Sequence, residues 1–208
     1  MELLPQAFFA RDVDVVAQDL LGRYLVRDRG SSTELVLRIT EVEGYGGPED
    51  TAAHSRMGRT ARNAPMWGPG GHAYVYLCYG LHQMLNIVTN GEGCAKAVLI
   101  RACEPVSGLA ILSERRGVNF GPALLAGPGK VGKALALDPS FSGTPLYLPG
   151  GLEVHAGEPV DSAEILCGPR VGIDYASARD RHALRRFAVA GSLWVSHSRG
   201  LRKPRARR

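Results

Sequence analysis
The stretch HAYVYLCYG (72–80), LHQMLNIVT (81–89), NGEG (90–93), CAKAVLIRA (94–102) reads as three consecutive strands. Tyrosine, valine, isoleucine and leucine crowd positions 72–79, 83–89 and 96–102, while Gly80 and the cluster Asn90–Gly93 supply the turns between them. Strands joined so closely pair antiparallel, and the segment is a meander. Along its first strand Tyr74 and Tyr76 share one face and Tyr79 takes the other, beside Gly80 at the hairpin tip. Tyrosines along a strand ordinarily form a half-buried core edge. A large aromatic at a glycine-flanked tip faces solvent instead, and has the shape of a wedge that enters a base stack.

Upstream, Asp12–Leu21 combines an aspartate N-cap, apolar Val13, Val16, Leu20 and Leu21 near helical spacing, and Gly22 as a stop, which predicts an amphipathic helix. Strands are expected over 23–28 and 33–43, separated by the turn Arg29-Gly30-Ser31-Ser32. In the second, Leu35, Leu37 and Ile39 alternate with more polar neighbours. Carried forward, that period of two puts Glu41 and Glu43 on the apolar face, a costly position for charge. Residues 44–71 form a long loop rich in glycine and proline that carries Arg56, Arg59 and Arg62, and loops of this length are functional or disordered. Beyond the meander, helices are expected from Glu104-Pro105 to Arg115 and over 130–137, followed by short strands and loops that end in 187–189 and 193–195. No repeat or linker divides the chain. The expected fold is α+β: a single domain over residues 1–198 with a curved antiparallel β-sheet flanked by short helices, plus a disordered basic C-terminal tail over 199–208.

Of 208 residues 25 are Lys or Arg and 20 are Asp or Glu, a net charge of +5. Six of the basic residues fall in the last ten, RGLRKPRARR, so residues 1–198 hold 19 basic against 20 acidic side chains. Whole-chain charge is therefore weak evidence for a nucleic-acid partner of the folded part. Four cysteines form no CxxC pair and six histidines no HExxH, which argues against a structural metal, and no cofactor is expected. No run reaches the ~18 apolar residues of a membrane span, and MELLPQAFF lacks the basic start of a signal peptide.

Gly127-Pro-Gly-Lys-Val-Gly132-Lys133-Ala134 fits the spacing of a phosphate-binding loop, but Ala134 replaces the hydroxyl that ligates magnesium and Pro128 removes an amide. Nucleotide hydrolysis is thereby disfavoured. A helix N-terminus flanked by Lys130 and Lys133 is left, either as a phosphate contact or as a capped surface helix. Glu41 and Glu43 read as a solvated strand end or, beside Tyr45 and a glycine-rich loop, as a carboxylate raised toward neutrality that acts as a general base. The residues alone do not choose between the two acids.

Nine motifs then occur in one order: ITEVEGY (39–45), PED (48–50), AAHSR (52–56), YVYLCYG (74–80), LNI (85–87), LIRACEP (99–105), GPGK (127–130), PRVG (169–172) and GSLWVS (191–196). Together they resemble the alkyladenine (3-methyladenine) DNA glycosylases, from about residue 10 to 198. The resemblance implies a monofunctional base-excision-repair enzyme, without lyase activity, that flips an alkylated or deaminated purine from double-stranded DNA and hydrolyses its N-glycosidic bond. It implies Glu43 as the base that activates water, with Arg101 and the carbonyl of Val171 holding that water. Tyr45, His54 and Tyr76 are implied as the base pocket, Asn86 as the residue that excludes the 2-amino group of guanine, and Tyr79 as the wedge. Arg56, Arg59, Arg62, Lys130 and Lys133 are candidates for the DNA backbone. A monomer is expected, nucleoid-associated in the cytoplasm of a prokaryote or nuclear in a eukaryote, and not secreted.

Two other classes compete. A non-catalytic DNA-binding module on the same fold would keep the wedge and lose the base, and the intact Glu43 argues against it. A sugar glycosidase using Glu41 and Glu43 is a poor fit, because residues two apart on one strand face stand side by side at ~6.6 Å rather than across a bond. The basic tail is expected to add salt-dependent affinity without touching the chemistry.

Overall fold
The computed structural model describes residues 1–204. Helices α1 (Gln6–Phe9) and α2 (Val13–Leu20) precede strands β1 (Tyr24–Arg27) and β2 (Leu35–Tyr45). After the long loop come β3 (Ala73–Cys78), β4 (His82–Thr89) and β5 (Lys96–Ser107), then α3 (Leu109–Arg116) and α4 (Pro128–Ala134). Strands β6 (Leu152–His155) and β7 (Ile165–Gly168), helix α5 (Ala178–His182) and strand β8 (Arg186–Val189) complete the order. The meander and helix α2 lie where the residue pattern puts them. The Asp12 side chain caps α2 by accepting from the Asp14 amide at 3.0 Å.

All pairings between these strands are antiparallel, in the order β3-β4-β5-β2-β1-β6, and β8 pairs with both β2 and β7. Strand β2 is the axis of the sheet. One edge pairs with β5 along its length; the other pairs with β1 over Leu35–Arg38 and with β8 over Glu41–Glu43. The switch is marked by register shifts, where Ile39 faces Cys103, Glu41 faces Ala102 and Val42 faces Ile100. Thr40 on β2 and Arg101 on β5 are the unmatched residues, and an unmatched residue reverses which face later side chains take.

That reversal corrects the expected placement of the two glutamates. Leu35, Leu37 and Ile39 join the main core, but so does Val42, three residues on rather than two, and in β5 the core residues Val98 and Ile100 are followed by Cys103. Glu41 and Glu43 therefore stand on the sheet face opposite the main core. That core packs α2 and α4 on one side of the sheet through Val13, Val16, Leu20 and Val131.

Three further expectations change. Strand β5 continues through Glu104 and Pro105, paired with Arg38 and Leu37, and no helix begins there. A residue before proline is held extended, and the strand ends at Gly108, whose φ of +78° and contact with Leu35 admit no side chain. Residues 193–195 form no strand and run as irregular chain, with the Thr40 hydroxyl donating to the Trp194 carbonyl. Residues 199–204, assigned by composition to the tail, are held in place: Arg202 bridges antiparallel to Cys167, and buried Arg186 donates to the carbonyls of His197 and Arg199. The tail residues 205–208 lie outside the described residues.

Candidate active site
Register builds the site. Tyr74 faces Asn86, Asn86 faces Leu99, Leu99 faces Glu43 and Glu43 faces Arg186, one row across five strands. Cross-strand neighbours share a sheet face, and strands lie about 4.8 Å apart. The row's face is the one turned away from the main core, and the long loop folds over it through two short 3₁₀ turns, His54–Met57 and Ala64–Trp67. Between loop and sheet is a cavity of about 470 Å³. Its lining includes Tyr45, His54, Arg62, Tyr76, Tyr79, Asn86, Arg101 and Val171.

Glu43 is fully buried directly behind that lining. One of its oxygens accepts from the Val171 amide at 2.7 Å and pairs with the Arg101 guanidinium at 3.2 Å; the other accepts from the Tyr45 hydroxyl at 2.9 Å. All three partners belong to the cavity wall. A carboxylate offers about four lone-pair directions, so two hydrogen-bond donors and the ion-paired Arg101 leave at least one unused. Val171 reaches Glu43 by its amide, whereas the resemblance implies a role for its carbonyl. Burial opposes the charge on Arg101, but Glu43 and Glu41 beside it hold its pKa above the ordinary value.

Glu41 is as buried as Glu43, but of its partners only Arg101 lines the cavity. Arg101 Nε, Arg186 and the Ser196 amide donate to it at 3.1, 3.3 and 2.6 Å. The partners, cavity-wall residues for Glu43 and mostly residues outside that wall for Glu41, separate the two carboxylates that composition left equivalent.

The aromatic wall is a cluster. The His54 ring stands edge-on to Tyr76 at 4.5 Å, its Nδ1 lies 3.0 Å from the Tyr74 hydroxyl, and Tyr74 and Tyr76 are 5.4 Å apart. Burial, with Arg62 and Arg56 nearby, lowers the His54 pKa, so the ring is neutral at pH 7. Burial pushes the Tyr74 phenol up to about 12 and raises Tyr76 further. Tyr45 is raised by burial and by Glu43. Asn86 is buried and donates to the Tyr74 carbonyl at 3.1 Å. Tyr79 is 91% exposed at the tip of the β3–β4 hairpin, on the cavity rim, with a φ of +49° that an L-residue holds only under strain.

The loop cations divide. All three arginines are exposed, but Arg56 lies over the Tyr175 ring at 4.8 Å and Arg62 over Tyr76 at 5.3 Å. Lys130 is half-buried and Lys133 exposed on α4. The glycines of that apparent phosphate loop serve packing: a Cβ on Gly132 would overlap the Gln83 carbonyl, and one on Gly129 would lie 2.7 Å from the His82 ring. Composition overlooked Arg170. It is buried, bidentate to Asp50 at 2.5 and 2.9 Å, bonded to the Gly44 carbonyl, and 4.8 Å from the Tyr45 ring. Burial raises the Asp50 pKa, but hydrogen bonds from Arg170 and the Gly46 amide outweigh it and leave the carboxyl below its usual value. Tyr175, a cavity residue that donates to the Ala52 carbonyl, carries no local signal either. No group of three or more histidine, cysteine or acidic side chains arranged to hold a metal occurs among the described residues, and no helix there is long and apolar enough to cross a membrane.

A family profile described as Methylpurine-DNA glycosylase matches residues 7–193. The chain is 54% identical over 206 residues to the DNA-3-methyladenine glycosylase of Arabidopsis thaliana, covering 98% of this chain and 78% of the plant protein. A Nitrosococcus oceani protein provisionally named 3-methyladenine DNA glycosylase is 57% identical over 195 residues, covering 94% of each chain. A third, from Methanoculleus marisnigri and named in the same way, is 45% identical over 196 residues, covering 93% of this chain and 98% of its own.

Proposed function
The chain belongs to the methylpurine-DNA glycosylase family, and from that premise we propose that it excises alkylated or deaminated purines from double-stranded DNA by hydrolysis of the N-glycosidic bond. The observation that carries this reading is Glu43, a buried carboxylate held by Tyr45, Val171 and Arg101 behind a tyrosine-lined cavity. A purine within the duplex hides its glycosidic bond, so the nucleotide is flipped into the cavity, and damaged bases are the cheaper ones to unpair. Tyr79 fills the vacated space in the stack.

Glu43 takes a proton from water as the water oxygen bonds to C1′ of the deoxyribose. The bond from C1′ to the purine nitrogen breaks, and its electron pair leaves with the base. Water as nucleophile is supported by the cavity lining, which contains no lysine among the described residues, so the reaction stops at the abasic site. Arg101 steadies Glu43 and the attacking water. Tyr45 and Tyr76 form the stacking walls, and His54, neutral and hydrogen-bonded to Tyr74, meets the base edge. Stacking on tyrosine favours an electron-poor, alkylated ring. On Tyr45 part of that attraction is already engaged by Arg170. Asn86, fixed by its bond to Tyr74, crowds a 2-amino group and so selects against guanine.

Duplexes carrying one hypoxanthine, ethenoadenine or 3-methyladenine, treated with the protein and then with alkali, test the reading. We expect strand cleavage at the lesion, and a loss on the order of 10²- to 10⁴-fold in single-turnover rate for Glu43→Gln. Equal rates for the variant and the natural protein overturn the assignment of the base.

A further inference from the structure
The second buried acid has no part in the chemistry just described, and it sits at the centre of a buried polar network behind the cavity. We infer that Glu41 is a positioning residue: it aims Arg101 at Glu43, and the C-terminal segment 196–202 braces it from behind. The inference rests on the glycosylase reading of Glu43 for its functional meaning.

The geometry runs outward from Arg101. Its Nε donates to Glu41 at 3.1 Å, one terminal nitrogen lies 3.2 Å from Glu43, and the other donates to the Ser196 hydroxyl at 3.0 Å. A guanidinium left alone beside a carboxylate engages it with two parallel bonds. Here Glu41 and Ser196 take two edges of the fork, so Glu43 receives a single nitrogen. Glu43 thus keeps a lone-pair direction for water, and the remaining hydrogens of Arg101 stay on the cavity side.

Glu41 is itself clamped. Its second oxygen accepts from the Ser196 amide at 2.6 Å, and its first also receives Arg186 at 3.3 Å. Arg186 is 2% exposed and spends its other donors on three carbonyls, those of Pro169, His197 and Arg199. Pro169 lies two residues before Val171, whose amide holds Glu43. The charges balance locally: two guanidiniums, Arg101 and Arg186, share the two carboxylates Glu41 and Glu43. Beyond Arg186, the Cys167–Arg202 bridge closes the brace with two backbone hydrogen bonds of 2.8 and 2.9 Å. Glu41 touches no cavity space, so its loss disturbs the chemistry and leaves capture of the damaged duplex alone.

The test compares Glu41→Gln and Ser196→Ala with the natural protein on a hypoxanthine duplex, with rates corrected for folded fraction from melting curves. We expect single-turnover rates to fall on the order of 10- to 100-fold for Glu41→Gln, the scale of a misaimed catalytic group, with the enzyme concentration at half-saturation unchanged. Ser196→Ala, which keeps the amide bond to Glu41, gives a smaller loss of the same kind and covers the case in which Glu41→Gln does not fold. Rates per folded molecule equal to the natural protein's, or equal losses in rate and binding, overturn the inference. A readout independent of activity is exchange of the Arg101 Nε–H with solvent, followed by nuclear magnetic resonance and assigned with Arg101→Lys. It is slow in the natural protein and fast in Glu41→Gln. Fast exchange in the natural protein overturns the inference even where base release is normal, and absence of base release with slow exchange faults the glycosylase reading alone.

Discussion

Arg170, inside the PRVG motif but given no role there, shows how such a residue enters the site. It reaches Glu43 by three routes: through the Gly44 carbonyl next to it in sequence, through the face of Tyr45, and through the backbone that carries the Val171 amide. Asp50 is what makes a buried guanidinium tolerable there. Asp50→Asn is expected to destabilise the protein by about 3–5 kcal/mol, the cost of leaving one member of a buried pair uncompensated. The pH dependence has a definite sign. The folded-state pKa of Asp50 lies below the ordinary aspartate value of 3.8, so the pair's contribution is complete above that pH and is lost as pH falls through the folded value. In urea melts the gap between natural protein and variant is constant from neutrality down to about pH 4 and narrows below it; a gap that widens in acid contradicts the assignment. At this scale the sequence speaks through chemistry alone. Glu43, Tyr45 and Tyr76 announce themselves as an acid and aromatics near glycine-rich turns, whereas Arg170, Asp50 and Tyr175 are ordinary loop residues whose partners are remote along the chain.

At the scale of elements, strands were legible and their irregularities were not. The meander follows from residue type and turn chemistry, both local. The reversal at Thr40 depends on pairing with β5 and β8, and its one trace in the sequence is Val42, an apolar residue out of phase with Leu35, Leu37 and Ile39. Pro105 misleads in the other direction, since a proline that suits a helix start also suits a strand end. The contact of α4 with β4 is the element on which the hairpin depends. Gly132→Ala improves intrinsic helix propensity by about 1 kcal/mol, yet its methyl group meets the Gln83 backbone, which cannot rotate away. A net destabilisation of about 1–3 kcal/mol is expected in denaturant melts, as for other overpacked sites. A stabilised variant shows that the helix shifts freely and that Gln83 sets no limit.

For the whole molecule, charge was the least informative property and connectivity the most. The six basic residues of the last ten suggested one uniform tail, but the chain is braced through Arg202 and its carbonyls complete the setting of Arg186. Truncation therefore has two outcomes depending on where it falls. Ending the chain at Pro204 removes Arg205, Arg207 and Arg208 and is expected to weaken nonspecific duplex binding and lower its salt dependence by up to about three phosphate contacts, with single-turnover cleavage unchanged. Ending it at Val195 removes the Ser196 amide and the carbonyls of His197 and Arg199, and is expected to abolish cleavage; equal activity of the two truncations excludes a structural share for residues 196–204.

The fork of β2 sets the order in which the molecule comes apart. Val42 and its neighbours are flanked by β5 on one edge and β8 on the other, and the Gly44 amide is taken by the Arg185 carbonyl. Amides hemmed on both sides exchange with solvent only when the whole sheet opens, while a covering loop can lift and settle without disturbing them. Local motion at the periphery of the site thus leaves this strand in place. The backbone that carries Glu43 outlasts every local opening, whereas the Val171 amide that helps aim its carboxylate comes from outside the strands.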